Sequence, residues 1–545
     1  MEPTLLRGFP GVSVTLKNVL LRDSLFLKHK QDLVRSEEIN VSLNILALLR
    51  GNTDINRIVL RNAAINLFTD SNGYSNTSMF NSGKQQKAQA GETPDMQVRN
   101  IEFENVRFIV DNRYRHKKFD FLLNTVKGRI KYPGTGFKGT LQINTLVNSF
   151  AFNTKRGSFL KDKVINGTLN FEFNKEAKKL IINQKPLKIG EDKFNIGAQV
   201  DIQKNAFGID IEAGNILFTN LANLLAPNIS TKLMKFSIDK GINVKGRISE
   251  DGKGSGKDPL INVTIAVNNS NVRIPSGMLN NATFNGRFTN QRMPGFAIGD
   301  ENSAIYFTKL KADYYNAPIT IDTFYIHNLS RPIAVGRVRS SFPLKNLNGS
   351  VNNQLVALNS GNAVLDLYCR ADIENFQLTK PTLNGNVKIT DADISYLPRK
   401  IRLVKSALTL NFTDKDLNIS NSRFQLGNSV LNMSCTINNF LNLYYTSPEK
   451  ILVDLRMSSP QLYLNDFLPI LSPRSKVSRS KPSGNTIKEF TEQLGTVLEQ
   501  SRMNIQLNVQ KAIYKKFTAS NLKAKISLVG TNVNLENISV AHAGG

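Results

Sequence analysis

Alternation is the feature that most constrains what this chain can become. Apolar and polar residues exchange at period two over short runs along most of the sequence: Val12, Val14 and Leu16 against Ser13, Thr15 and Lys17; Ile39, Val41 and Leu43 against Asn40 and Ser42; Leu365, Leu367, Cys369, Ala371 and Ile373 against Asp366, Tyr368, Arg370 and Asp372. Successive side chains of a strand point to opposite faces, so each run is a ribbon with one apolar and one wet side. Helical periodicity is nearly absent between the runs. A chain written this way builds sheet, and a sheet that keeps adding strands grows in one dimension without domain boundaries. The predicted fold is therefore mostly β: an elongated, curved antiparallel β-sheet forming an open, repeating groove, with a few short helices and one amphipathic helix near 486–501.

Composition narrows the function classes. Hydrophobic residues make up 40% and charged residues 21% of the 545 positions, which excludes a disordered polymer. The formal charge of +27 points to a polyanionic partner. Lysine and arginine are spread along strands, as in Lys127, Arg129 and Lys131 or Arg399, Lys400 and Arg402, which suits a plane of anionic headgroups. Nucleic acid is disfavoured, because no aromatic-rich RNA-binding signature, zinc knuckle or helix-turn-helix pattern occurs. Plain surface solvation is the bland alternative. The two cysteines, Cys369 and Cys435, both project from apolar faces; buried free thiols and a disulfide are both open from sequence. No apolar run of about 20 residues is present to span a bilayer.

Along the chain, residues 1–70 read as an N-terminal β region containing a short helix over Asn44–Arg50. Residues 71–95 are polar and glycine-rich and read as a flexible linker. Strands resume and continue over 96–473. A basic linker follows at 474–485, then an amphipathic helix over 486–502 with Thr486 and Glu489 as a capping box, and a β module over 503–545. Two internal regularities stand out. Glycines inside alternating runs, Gly128, Gly139, Gly167, Gly246, Gly286 and Gly385, mark either bends of a trough or ordinary turn-adjacent positions. Asn215–Pro227 aligns with Gln461–Pro473, each a strand end running into one apolar helical turn.

Candidate chemistry is sparse. His29, His116, His327 and His542 stand far apart, and none has metal-ligand spacing to another or to a cysteine. No nucleophile elbow, HExxH, phosphate-binding loop or dinucleotide fingerprint occurs. The pair Asp391 and Asp393 reads as solvated surface rather than a glycosidase couple. No catalytic residue and no cofactor are assigned. The expected functional surface is instead the apolar face itself, with a lining of Val12, Val14, Leu16, Ile39, Val41, Leu43, Ile101, Phe103, Leu365, Leu367, Leu431 and Met433. A closed sandwich in which these side chains pack against one another is the alternative.

The opening FPGVSVTLKNVLLRDS and the stretch LVRSEEINVSLNILALLRGNTDINRIVLRNAAINLFTDSNGYSN resemble the start of the AsmA family of bacterial envelope proteins, in the style of Bacteroidota members. The end, NIQLNVQKAIYKKFTASNLKAKISLVGTNVNLENISVAHAGG, is similar to that family's C-terminal module. The resemblance implies a periplasmic protein tethered to the inner membrane by an N-terminal helix that this sequence lacks. It also implies a β-groove carrying phospholipids or other acyl lipids toward the outer membrane, with anionic membrane surfaces as partners. An assembly factor for outer-membrane proteins, acting by strand addition, is the alternative function.

Overall fold

A computed structural model describes residues 2–4, 11–44, 54–80, 97–204, 206–250, 258–441, 451–468, 502–529 and 532–542. Among the described residues the alternating runs are strands, and helices are confined to short turns such as Phe26–His29, Phe218–Leu224 and Leu464–Phe467. The chain divides into two compact units, the first built mainly from residues up to 265 and the second mainly from 266 onward. Each is a mostly β, open and curved sheet in which a strand pairs with its neighbour in sequence. The helix expected at 44–50, the basic segment 474–485 and the amphipathic helix at 486–501 lie outside the described residues.

Among the strand pairs whose register is described, pairing is antiparallel apart from two. Asp54–Thr69 runs parallel to Gln97–Asn112, and Leu452–Tyr463 parallel to Arg502–Tyr514. A parallel neighbour requires the intervening chain to return to the end from which it started, which a tight hairpin cannot do. The two segments read from sequence as linkers fall at these two connections. The first of them is partly built into the fold: Asn76 is fully buried, accepting from the Phe68 amide at 2.9 Å and donating to the Asn66 carbonyl at 2.8 Å. Polar composition there serves hydrogen bonding to strand ends, so residues 71–80 do not behave as the predicted linker.

The strands bend by a repeated device. Asn62, Asn105, Asp391, Lys405 and Asn421 each adopt φ near +50° inside a strand. The next residue in each case, Ala63, Val106, Ala392, Ser406 or Ser422, is buried, and four of these five are small. A left-handed residue inserts one extra position, so two successive side chains face outward and the inward alternation resumes out of phase. Leu60 and Ala63 therefore share a face although three positions separate them. The devices align across strands: Ser36 pairs with Ala63, Ala63 with Val106, and Ala392 with Ser406. Serine at the crease returns a hydrogen bond to an interrupted carbonyl, as Ser36 Oγ does to Glu38 at 3.0 Å. Curvature thus resides in these asparagine, aspartate and lysine positions more than in the glycines. Gly128 instead permits close approach, because a Cβ there would overlap Ile101 and Leu141 on the flanking strands, whereas at Gly246 no atom lies closer than 3.9 Å.

Candidate lipid-binding face

In the second unit the register stacks apolar residues into continuous rows. One row runs Leu365, Val387, Leu410, Ile419, Cys435, Leu455, Ile505, Ile526 and Leu535 across nine successive strands. A second runs Val338, Leu367, Gly385, Phe412, Leu417, Ile437, Val453 and Met503. The intervening positions make a polar row on the other face: Asp366, Asn386, Asn411, Asn418, Thr436, Asp454, Asn504, Ser527 and Asn534. With strands about 4.8 Å apart, eight steps give an apolar path of about 38 Å along the sheet.

Burial along this path is incomplete. Leu365, Leu367, Val387, Leu410, Ile419, Leu455, Ile505 and Ile526 are all half-buried, which a close-packed sandwich interior would not allow. Among the described residues of this unit three clusters are closed. Leu417, Cys435, Phe440, Leu441, Ile451 and Val453 form one, Leu431 with Leu462, Val509, Ala512 and Ala519 the second, and Phe342, Leu344, Val351, Leu358, Ala363 and Ala392 with Ala317 the third, against which Leu365 packs. Beside the second lies an open cleft of about 1170 Å³, lined mostly by polar and charged residues such as Arg423, Asn432, Arg456, Gln506, Lys523 and Lys525, with Met433, Met457, Leu507 and Ile538 among them.

In the first unit, Val14, Val41, Ile58, Ile101, Gly128, Leu141 and Leu169 form one row. Leu16, Ile39, Leu60, Phe103, Val126, Ile143, Gly167, Leu187 and Phe194 form the next. Val12 opposes Leu43, which opposes Ile55.

Of the twelve residues selected from sequence, Val12, Val14, Leu16, Ile39, Val41, Leu43, Ile101 and Phe103 lie on one face of the first unit, and all eight are half-buried. Leu365, Leu367 and Met433 are half-buried in the second unit. Leu431 is only 5% exposed and belongs to a packed cluster, so it supports the face rather than presenting surface. Val387, Leu410, Ile419, Leu455, Ile505 and Ile526 were not selected. Their alternation is legible in the sequence, but the register that joins them to Leu365 is not.

Electrostatics follow the two faces. On the polar side Arg61 bridges Glu38 at 2.6 Å and Glu104 at 2.8 Å across three strands, and Arg402 pairs with Asp393 at 2.6 Å. The Arg402 guanidinium holds the Asp393 carboxyl below its usual range, which fits its reading as surface. Both cysteines are free. Burial, with Asp454 nearby, pushes the Cys435 thiol up to about 11, and burial alone raises that of Cys369. One polar grouping invisible to spacing is Asp23, which accepts from the Tyr74 hydroxyl at 2.5 Å and lies 2.8 Å from His29 Nε2. It fastens the loop after Gly11–Leu21 to residues 70–80.

Comparison of the chain with protein-family models, with curated proteins and with solved structures finds no match.

Proposed function

We propose that this protein is an AsmA-like, non-enzymatic component of the bacterial envelope. In this reading it binds phospholipid or other acyl chains on its apolar sheet face and conducts them between the inner and outer membranes. It works in the periplasm, tethered to the inner membrane, and supports outer-membrane biogenesis. The observation that carries the reading is the half-buried apolar row from Leu365 to Ile526, backed by an unbroken polar row. A diacyl lipid with about 30 methylenes loses on the order of 24 kcal/mol on entering water, at about 0.8 kcal/mol per methylene. A continuous apolar strip removes part of that cost at every step, while headgroups stay in water along the open side. The +27 charge draws the protein to anionic membrane surfaces.

The test is mass spectrometry of lipid extracted from protein purified without detergent exchange. Wild-type protein retains diacyl lipid, and a Leu365→Lys, Ile419→Lys double variant with an unchanged circular dichroism spectrum retains little. Lipid-free wild-type protein overturns the reading.

A second reading rests on a separate observation. Among the described residues the Asn532–Ala541 strand pairs only with Phe517–Val529, and it exposes Leu535, Ile538 and Val540. Such an edge accepts an added strand, as an assembly factor for outer-membrane proteins requires. Crosslinking from a cysteine placed at Glu536 to a strand peptide, with no lipid retained, favours this alternative.

A further inference from the structure

Four segments of the first unit meet at one end of its strands. Leu21 pairs with Val34, Val34 with Ile65, Thr69 with Asn112, Asn112 with Lys117 and Lys118 with Ala151, which brings segments 22–33, 70–80, 113–116 and 152–162 to a common rim. The main chain ties them together. The Asn66 amide donates to the Leu33 carbonyl at 2.9 Å, the Arg113 amide to that of Thr69 at 2.9 Å and the Thr154 amide to that of His116 at 2.7 Å. The Tyr74 hydroxyl on Asp23 adds a side-chain fastening between the first two segments.

This rim carries apolar side chains that the fold leaves in water. Of the five most exposed large apolar residues among those described, Leu27 at 76%, Phe80 at 63% and Tyr114 at 61% belong to it. Tyr114 adjoins the 70–80 segment, since a Cβ on Gly73 would lie 3.9 Å from its ring. At the opposite end of the same sheet, the described turns 132–135 and 175–178 present no exposed large apolar residue.

Charge is sorted in the same place. In segments 22–33, 70–80 and 113–116 the exposed charged side chains are all cationic: Arg22, Lys28, Lys30, Arg113 and Arg115. The acids there are buried or half-buried and taken up by the fold. Asp23 binds Tyr74 and His29, Asp32 accepts from Arg22 and Arg35 at 2.6 Å each, and Asp70 accepts from the Asn72 and Tyr74 amides at 2.8 and 2.9 Å. Segment 152–162 adds exposed Lys155 and Lys161, with Asp162 standing 3.9 Å from Lys161. Arg22 at 3.8 Å and Lys30 at 5.8 Å both lie over the Phe26 ring, so cationic and apolar surface interleave.

We infer that this rim docks on an anionic phospholipid bilayer, seating Leu27, Phe80 and Tyr114 among the headgroups and upper acyl chains. Single large side chains projecting from loops bury little against a flat protein, whereas a fluid bilayer interface closes around each of them. Tyrosine suits that depth, its ring apolar and its hydroxyl wet. The neighbouring lysine and arginine side chains lay their methylenes along apolar surface and keep their charge at the phosphates. Because the segments are tied to one another, docking loses little loop freedom. The inference rests on the membrane partnership proposed above and names the surface that makes it, and it does not require the acyl path.

The chain has no tryptophan, so a single introduced indole reports its own surroundings. Leu27→Trp, Tyr114→Trp and, at the opposite end, Thr135→Trp are each made in the full chain at exposed positions. They are mixed with phosphatidylcholine vesicles, with and without phosphatidylglycerol, carrying brominated acyl chains. Emission from Leu27→Trp and Tyr114→Trp should shift to the blue and be quenched on the anionic vesicles, while Thr135→Trp stays unchanged. Lys28→Glu with Arg115→Glu should weaken vesicle binding about tenfold, and Lys131→Glu with Lys138→Glu, cross-strand neighbours at the opposite end, should change it little. Equal loss in the two charge pairs overturns the inference, because net charge alone would then be felt. Rim probes that stay unshifted on bound vesicles also overturn it and leave the rim to a protein partner. Shifted rim probes in a chain that co-purifies without lipid uphold the docking and overturn the acyl path alone.

Discussion

The aromatic stretch of the first unit and the aliphatic stretch of the second follow one alternation rule and reach different ends. In the first, Phe119, Phe150 and Phe152 interlock with centroids 5.0 to 5.4 Å apart, Phe207 stacks on Phe152 at 5.5 Å, and Val106 and Val147 are completely buried. In the second, leucine, isoleucine, methionine and cysteine fill the rows and most remain half-buried. Rings of this size cover one another across a single curved sheet. Branched aliphatic side chains also close in places, as Val106, Val147 and Val509 do, and elsewhere along the rows they leave half-buried apolar surface. The contrast teaches that alternation alone makes an apolar face, and the local packing of neighbouring strands decides where it closes.

Four experiments break or sharpen that contrast. The largest effect is expected at the closed sites. Phe152→Ala should cost about 3–5 kcal/mol by cavity formation, read as a fall in denaturation midpoint. Leu365→Ala, at a half-buried position, should cost only about 1 kcal/mol. Equal losses would mean that the second face is as closed as the first. Leu431→Glu should unfold the local cluster because the carboxylate is buried without a partner, whereas Leu365→Glu, at a half-buried position on the edge of another cluster, should cost less and, on the proposed function, lower lipid retention.

Next in size is the crease. Ala392→Leu should destabilise by about 1–3 kcal/mol through overpacking, since Ala392 is fully buried beside Gly361. Asp391→Asn, which keeps a residue tolerant of positive φ, should be nearly neutral. A neutral Ala392→Leu would show the crease to be loose.

Acid should weaken the first unit by a smaller amount. Asp120 is subject to burial, which raises its pKa, but hydrogen bonds from Arg107 and Asn148 outweigh it and hold the carboxyl below the usual range. A group depressed in the folded state stabilises above its unfolded pKa, near 3.9, and that contribution disappears as pH falls through the folded value. Melting temperature should therefore drop below about pH 4, and less steeply in Asp120→Asn. The smallest signal is chemical: with its thiol raised to about 11, Cys435 should resist alkylation at neutral pH unless the chain is unfolded.

Much of the fold was legible because alternation is a local property. Val12 to Leu16, Ile39 to Leu43 and Leu365 to Cys369 each announced a strand and an inward face, and those strands are present. The candidate site was legible only in part. Leu365 was visible, yet its row partners Val387, Leu410 and Ile419 were not, since nothing within one strand fixes the register of the next. The bends were legible only in part, Gly167 lying at a register shift with positive φ as a glycine bend does. Glycine is the residue that sequence reasoning associates with irregular backbone, whereas here Asn62, Asn105 and Asp391 take the left-handed conformation, each before a buried alanine or valine.

By itself, then, the sequence determined that this chain forms strands with one oily and one wet side, because side-chain direction in a strand depends only on neighbouring residues. Tertiary structure alone decided which residues share a row, where the strands crease, and which apolar side chains stay half in water. Those outcomes depend on contacts between residues distant in the chain, which no local pattern specifies.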